Sequence, residues 1–200
     1  MKYQTAYDLA VAELLRADPA ERALAAGGSY DPASRSLTLT LCGRRLTFRY
    51  DSACLAWADT GQAFDLSPGE VAVLHYLVKA NGKKPAGDLV PYRELWGAAT
   101  QSGPFVDRSE QALAESYGAA PEAVLARAKS LGTEAIAGNG DARLDILVLP
   151  HIPVSVLLYG PDEDFPAGAK ILFDSVINDY LPTEDVTWVA ELVSGKLRAD

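Results

Sequence analysis

The sequence predicts an α+β fold in a single domain over residues 1–200, and three observations support this. Hydrophobic residues make up 48% of the chain and charged residues 22%, the proportions of a protein that buries a core. Apolar residues recur at helical spacing in some segments and alternate at strand spacing in others. The strands come in two groups, each followed by helices, which favours α+β over alternating βαβ units.

Three helix starts are predicted where a capping side chain stands three residues before a glutamate. They are Asp18–Glu21, Ser67–Glu70 and Asp107–Glu110. The first side chain is expected to accept a backbone N–H, and the glutamate to reach back to the cap's own N–H. The predicted stops are glycines, which take the left-handed conformation at a helix end easily: Gly27, Gly82, Gly118 and Gly132.

The helix predicted over 68–80 is apolar on nearly every side, so we expect it to be buried at the centre of the fold. The last helix, over 183–197, has one apolar face at helical spacing. Ordinary amphipathic helices are predicted over 3–15, 108–117 and 121–131.

Two groups of strands are predicted from residue alternation and composition. Leu37–Leu41 and Leu46–Tyr50 form an N-terminal antiparallel hairpin with one buried face, and Leu55–Ala58 adds a third strand. Arg143–Leu149 and Val154–Tyr159 form a C-terminal pair whose Leu and Val content predicts burial on both faces.

The N-terminal segment has no apolar run typical of a signal peptide, because Asp8 and Glu13 interrupt it. The most apolar stretch, residues 144–159, is too short and too interrupted for a membrane helix. We therefore expect a cytoplasmic protein with reduced thiols. Eleven residues separate Cys42 from Cys54, which matches no zinc or iron–sulfur spacing.

The net charge of −9 is confined to the second half of the sequence. Residues 1–100 carry 11 basic and 11 acidic side chains, whereas residues 101–200 carry 7 and 16. An acidic chain whose aromatic residues are not interleaved with Lys or Arg is not expected to bind nucleic acid.

No phosphate-binding loop, zinc-protease motif or nucleophile elbow occurs in the sequence. His75 shares a helical edge with Lys79 and is expected to be a half-exposed polar residue. His151 lies between two prolines in a predicted turn, where its ring is expected to face solvent. No serine or cysteine stands at a spacing that would make either histidine a catalytic base.

Three short acidic patches mark the C-terminal segment, and three interpretations stay open. Carboxylates that converge on one point would bind Mg²⁺ or Ca²⁺. Alternatively, Asp164 ahead of Pro166 caps a helix, and the Thr183–Asp185 segment forms a first turn matched to the helix dipole. The third interpretation is a docking surface for a basic partner. The carboxylates in question are Asp162, Glu163, Asp164, Asp174, Glu184 and Asp185.

The segments Gly160–Asp174 and Tyr180–Asp185 resemble the family catalogued as domain of unknown function 3786. The Leu74–Leu77 segment and the Leu41–Tyr50 hairpin, with its Gly-Arg-Arg, are similar to the same family. The resemblance implies a protein of anaerobic bacteria and archaea, in a family where some members carry cysteine-rich iron–sulfur segments. This chain lacks such a segment, so the resemblance implies that a partner carries the cofactor.

The leading hypothesis is a non-catalytic binding or accessory module in anaerobic metabolism that uses its acidic C-terminal surface. Its ligand- or partner-binding candidates are His75 and Tyr76 together with the six carboxylates named above. The partner is expected to be a protein or a small ligand, not nucleic acid or a membrane. The sequence identifies no cofactor and no oligomeric state.

The alternative hypothesis is a metal-dependent hydrolase with His75 as its acid–base group. Its candidate metal ligands are Asp162, Glu163, Asp164, Asp174 and Glu184. A third hypothesis, a structural subunit of a larger assembly, predicts a large exposed apolar patch.

Overall fold

Two antiparallel sheets form the framework of the computed structural model, which describes residues 3–64, 68–98, 106–133, 135–136 and 140–199. The first sheet consists of Ser29–Asp31 (β1), Ser36–Leu41 (β2), Arg44–Arg49 (β3) and Cys54–Trp57 (β4), in the order β1-β2-β3-β4. The second consists of Leu89–Pro91 (β5), Ala135–Ile136 (β6), Ala142–Leu149 (β7), Ile152–Tyr159 (β8) and Gly168–Asp174 (β9), in the order β5-β9-β8-β7-β6. The predicted α+β class is confirmed.

Helices precede, connect and follow the sheets. The α-helices of the described residues are Gln4–Arg16 (α1), Pro19–Ala25 (α2), Gly69–Lys79 (α3), Gln111–Tyr117 (α4), Ile177–Tyr180 (α5) and Thr183–Arg198 (α6). A π-helical turn, Val106–Glu110, leads into α4. The segment Pro121–Leu131, predicted as an α-helix, is a 3₁₀-helix, as is the short turn Tyr92–Glu94.

The predicted N-terminal hairpin closes through Cys42 and Gly43. Both residues have positive φ, 47° and 76°, as the tight turns that suit the twist of antiparallel strands require. The backbone N–H of Cys42 donates to the carbonyl of Val148 at 2.9 Å. This bond ties the tip of the first sheet to β7 of the second.

Strand β8 lies in the middle of the second sheet and is buried on both faces along most of its length, as predicted. Strand β7 alternates instead, and Leu147 on it is 50% exposed. The prediction of burial on both faces therefore applies to β8 and only partly to β7.

The helix predicted after Asp164 and Pro166 is wrong, because the chain forms strand β9 there. Ala169, Ile171 and Phe173 alternate into the core, and the strand pairs with β8 on one side and β5 on the other. Pairing on both sides satisfies the backbone groups that a helix would have satisfied internally.

Of the three predicted caps, Asp18 is confirmed, since its carboxylate accepts the N–H groups of Ala20 and Glu21, each at 2.9 Å. Ser67 and the side chain of Asp107 lie outside the described residues. Glu110 does not reach back to a cap. It is buried, and it accepts the N–H of Ile171 at 3.0 Å on β9.

The predicted glycine stops hold at Gly27, which follows the C-cap of α2, and at Gly132, which follows Leu131, both with positive φ. Gly82 also has positive φ, but α3 ends earlier, at Lys79, with Ala80 as its C-cap. Gly118 has a φ of −59°, so it does not end α4 in the left-handed conformation. Glycine is needed at position 118 because of a close contact, since a Cβ there would lie 2.4 Å from the Cβ of Ala167. The glycine lets the loop before β9 cross the end of α4.

The core is organised around α3, the predicted central helix. Its residues Val73, Leu74 and Leu77 are fully buried, and the helix packs against α1, α5 and α6. The predicted apolar face of α6 is buried as well: Val186, Val189, Ala190, Val193 and Leu197. Contacts between α3 and α6 place two of the four family-like segments, Leu74–Leu77 and Tyr180–Asp185, side by side.

Candidate functional site

The hairpin loop between β8 and β9 presents the first acidic patch; residues 160–167 are called the acidic tip below. One carboxylate oxygen of Asp162 accepts the N–H groups of Asp164 at 2.9 Å and Phe165 at 2.7 Å. The N–H of Asp162 in turn donates to the carbonyl of Phe165 at 3.0 Å. The tip is therefore a turn fixed by its own hydrogen bonds.

The side chains at this turn point away from the core. Asp162, Glu163 and Asp164 are exposed, and Phe165 is 70% exposed. No described Lys or Arg forms an ion pair with Glu163 or Asp164. The acidic tip thus presents a large aromatic ring beside free carboxylates, which is the composition of a contact surface rather than of a metal cage.

Asp174 has a different environment, because it is 2% exposed and fully engaged by backbone. Its two oxygens accept N–H groups from Ala86 at 3.1 Å, Gly87 at 2.7 Å and Val176 at 3.1 Å. These bonds fasten the segment before β5 to the end of β9. The charge of Asp174 is used within the fold.

His75 and Asp185, from α3 and α6, form a pair that the sequence did not reveal. The Nδ1 atom of His75 lies 2.6 Å from Oδ2 of Asp185, and their side chains are 27% and 12% exposed. Such a contact orients an imidazole, as in catalytic dyads, but the described residues place no hydroxyl or thiol in hydrogen-bond contact with His75. The pair joins α3 to α6.

A small cavity of about 220 Å³ opens beside the first turn of α6. Lys79 and Glu184 contribute one charge of each sign to its wall, and Trp96, on its rim, is 85% exposed. The hydroxyl of Thr183 donates to the carbonyl of Trp96, so it is already occupied. Glu184 is therefore a surface acid at a shallow pocket, in the predicted first turn of the helix.

Tyr76 lies in the core and is completely buried. Its hydroxyl donates to the carbonyl of Ala26 at 2.9 Å and accepts the N–H of His151 at 3.2 Å. Its ring stacks on that of Tyr180, with centroids 5.4 Å apart. The expected solvent-facing ring of His151 is wrong: it is half-buried, with its centroid 5.4 Å from that of Tyr180.

The carboxylates of the three acidic patches do not converge. Among the residues that the structure describes, no group of three or more His, Cys, Asp or Glu side chains is arranged to hold a metal ion. Both carboxylate oxygens of Asp174, and one of Asp162, accept backbone N–H groups. The cluster that the hydrolase hypothesis requires is absent from this part of the chain.

The two cysteines are free, as expected. Cys42 is 2% exposed in the hairpin turn, and burial raises the pKa of its thiol to about 11. Cys54 is half-buried, with its sulfur 2.9 Å from the hydroxyl of Ser52. Neither thiol has the electropositive, accessible setting of a reactive cysteine.

An apolar groove of about 510 Å³ lies between the first sheet and α6, a feature that the sequence did not suggest. Trp57 and Phe64 form one wall, with their rings edge to face at a centroid distance of 5.2 Å. Trp188 and Leu192 from α6 form the other. The groove unites segments more than 100 positions apart, which is why no local motif marks it.

These observations define a class: an α+β protein built on two antiparallel sheets, with an acidic tip, an apolar groove and no metal-binding cluster among its described residues. None of the helices described has the length and apolar character needed to cross a bilayer. The chain belongs to the family of domain of unknown function DUF3786, whose family model matches residues 18–196. The predicted family resemblance is thereby confirmed. Searches of curated proteins and of solved structures returned no match.

Proposed function

We propose that this protein is a non-catalytic binding module whose acidic C-terminal surface docks onto a basic partner protein. The observation that carries the proposal is the acidic tip, where Phe165 stands exposed beside Glu163 and Asp164. An aromatic ring that is exposed in the free protein can become the buried anchor of an interface when a partner binds. The carboxylates around it favour a partner surface of positive charge.

The fixed turn supports this role, because a preorganised loop loses little conformational freedom on binding. Asp162 holds the turn with two hydrogen bonds, and a third joins the N–H of Gly160 to Asp141 at 2.6 Å. The two carboxylates beside Phe165 stay free to meet lysine or arginine. We place the module in the anaerobic metabolism that the family resemblance implies, with the redox cofactor on the partner.

The test is site-specific crosslinking in the cells that make the protein. A photo-reactive phenylalanine analogue at Phe165 is expected to capture one discrete partner, identified by mass spectrometry. Reversing the free charges, with Glu163→Lys and Asp164→Lys, is expected to abolish most of the adduct, because repulsion replaces attraction. Asp162 is left intact so that the turn persists.

The matched control is Glu13→Lys with Glu21→Lys, which changes the net charge equally at exposed positions on α1 and α2. This control is expected to leave the adduct unchanged. Absence of a discrete adduct, or an equal loss in both double variants, would refute docking through the acidic tip.

A further inference from the structure

The apolar groove, which the proposed docking function does not use, has the dimensions and walls of a small-molecule site. Its volume of about 510 Å³ falls within the roughly 300–1,000 Å³ typical of ligand pockets. Two tryptophans and a phenylalanine are part of the lining, and aromatic side chains of this size contribute strongly to apolar binding. Of the described residues that line the groove, Glu191 and Lys196 are charged.

These two charges are not equivalent. Glu191 is neutralised by Arg108, whose Nε lies 2.5 Å from its Oε1. No described carboxylate forms an ion pair or hydrogen bond with the ammonium of Lys196. Arg44, which stacks 4.1 Å above the ring of Trp57 outside the groove, is likewise paired with Asp59. Among the groove residues that the structure describes, Lys196 is therefore the charge without a counter-ion, in a protein of net charge −9.

The pattern along α6 produces this arrangement. Val189, Val193 and Leu197 face the core, whereas Trp188, Leu192 and Lys196 follow one another at four-residue spacing along the groove. Gly195 sits in the same wall, and a Cβ built on it would meet nothing within 4 Å. Open space over a glycine in a helix leaves room for a ligand, although alanine would favour the helix more.

We infer that the apolar groove binds a hydrophobic monocarboxylate, with its apolar body between Trp57 and Trp188 and its carboxylate on Lys196. A single ammonium matches a single negative charge, whereas a phosphate carries about two charges and needs several donors. The contact is a charge-assisted hydrogen bond beside apolar walls, where it is stronger than in open water.

The experiment titrates full-length protein with 2-naphthoate and with 2-naphthalenemethanol, its uncharged analogue, while indole N–H signals are recorded by NMR. The signals of Trp57 and Trp188 are expected to shift, and that of exposed Trp96 to stay in place. The carboxylate is expected to bind about tenfold more tightly than the alcohol, the effect of one hydrogen bond to a charged group.

Two variants separate the parts of the site. Lys196→Met is expected to remove the preference for the carboxylate while the alcohol binds as before. Gly195→Leu is expected to fill the groove and abolish both titrations, with circular dichroism reporting an intact fold. Because leucine favours helix more than glycine, this variant is not expected to unfold.

Two outcomes would overturn the inference. In the first, 2-naphthoate leaves the Trp57 and Trp188 signals unmoved. In the second, both compounds bind with equal affinity and Lys196→Met leaves both affinities unchanged. That result would mean that the ammonium of Lys196 extends into water and does not contact the carboxylate.

Discussion

At the scale of single residues, the carboxylates of the C-terminal segment have separate tasks although they look alike in the sequence. Asp162 holds a turn, Asp174 is buried among backbone N–H groups, and Asp185 pairs with His75. Glu163, Asp164 and Glu184 remain exposed without such partners among the described residues. Exposure and hydrogen bonding, rather than charge density, therefore distinguish the candidates for binding.

His151 is expected to make stability depend on pH. Burial lowers the pKa of His151 below its ordinary 6.5, so the unfolded chain takes up a proton there more readily than the folded one. Above pH 6.5 the imidazole is neutral in both states, and the contribution of His151 to the free energy of unfolding is complete. That contribution is lost as pH falls through 6.5 toward the lower pKa of the folded state, because the unfolded chain binds the proton first. Urea unfolding between about pH 5 and about pH 7.5 measures the effect.

The variant His151→Gln isolates this contribution, because glutamine does not titrate. The variant is expected to lose less stability than wild type over the same acidification, with a modest difference because the ring is only half-buried. Parallel curves for the two proteins would show that burial of His151 does not favour its neutral form.

At the scale of elements, Asp174 is expected to hold the segment before β5 onto β9. Replacing it with alanine leaves three backbone N–H groups without their acceptor, including the buried N–H of Val176. We expect Asp174→Ala to lower the free energy of unfolding by about 3 kcal/mol, measured by urea denaturation.

The control is Asp179→Ala, which removes an exposed carboxylate that pairs with Lys83. An exposed ion pair contributes little, so this change is expected to cost less than about 1 kcal/mol. If the two variants lost similar stability, Asp174 would not have the structural role described here.

Elements with strong local signals could be predicted from the sequence, and those that depend on distant pairing could not. The Asp18 cap and the alternating hairpin β2–β3 are specified within a few residues. Strand β9 follows a proline and an aspartate that suggest a helix start, and it is stabilised by pairing with β8 and β5. Backbone hydrogen bonds to these two strands determine its structure, and the residues of β9 alone do not indicate that pairing.

The candidate sites also divide into those marked by neighbouring residues in the sequence and those formed only when distant segments meet. The sequence identified the acidic tip because its charges are contiguous. It identified His75 and Asp185 separately, but 110 positions lie between them, so their pairing required the fold. The apolar groove could not be predicted. In the sequence, Trp57 and Trp188 look like ordinary core residues, and only the fold places β4 next to α6.

At the scale of the whole molecule, α3 and the Cys42–Val148 hydrogen bond connect regions that the sequence separates. Helix α3 packs against α1 from the N-terminal part and against α5 and α6 from the C-terminal part. Because the helix is shared, the two sheets are expected to unfold together, as the single-domain prediction requires.

Two conservative core substitutions test this expectation. Leu46→Met in the first sheet and Ile171→Val in the second are each expected to lower stability by about 1 kcal/mol. Each should shift one common denaturation transition, observed by both near- and far-ultraviolet circular dichroism. Two separate transitions, each moved by only one of the substitutions, would contradict it.

The strand order of the second sheet sets the sequence of events on the ribosome. The first sheet is complete in the sequence by residue 57, so it is able to form early in synthesis. Among the described strands, β5 pairs with β9 alone, so Leu89 cannot pair until Asp174 has been synthesised. Until the last quarter of the chain emerges, α3 has α1 to pack against but lacks α5 and α6, so the apolar surface that these two helices cover stays exposed. A message truncated before β9 would therefore yield a nascent chain that chaperones and proteases recognise.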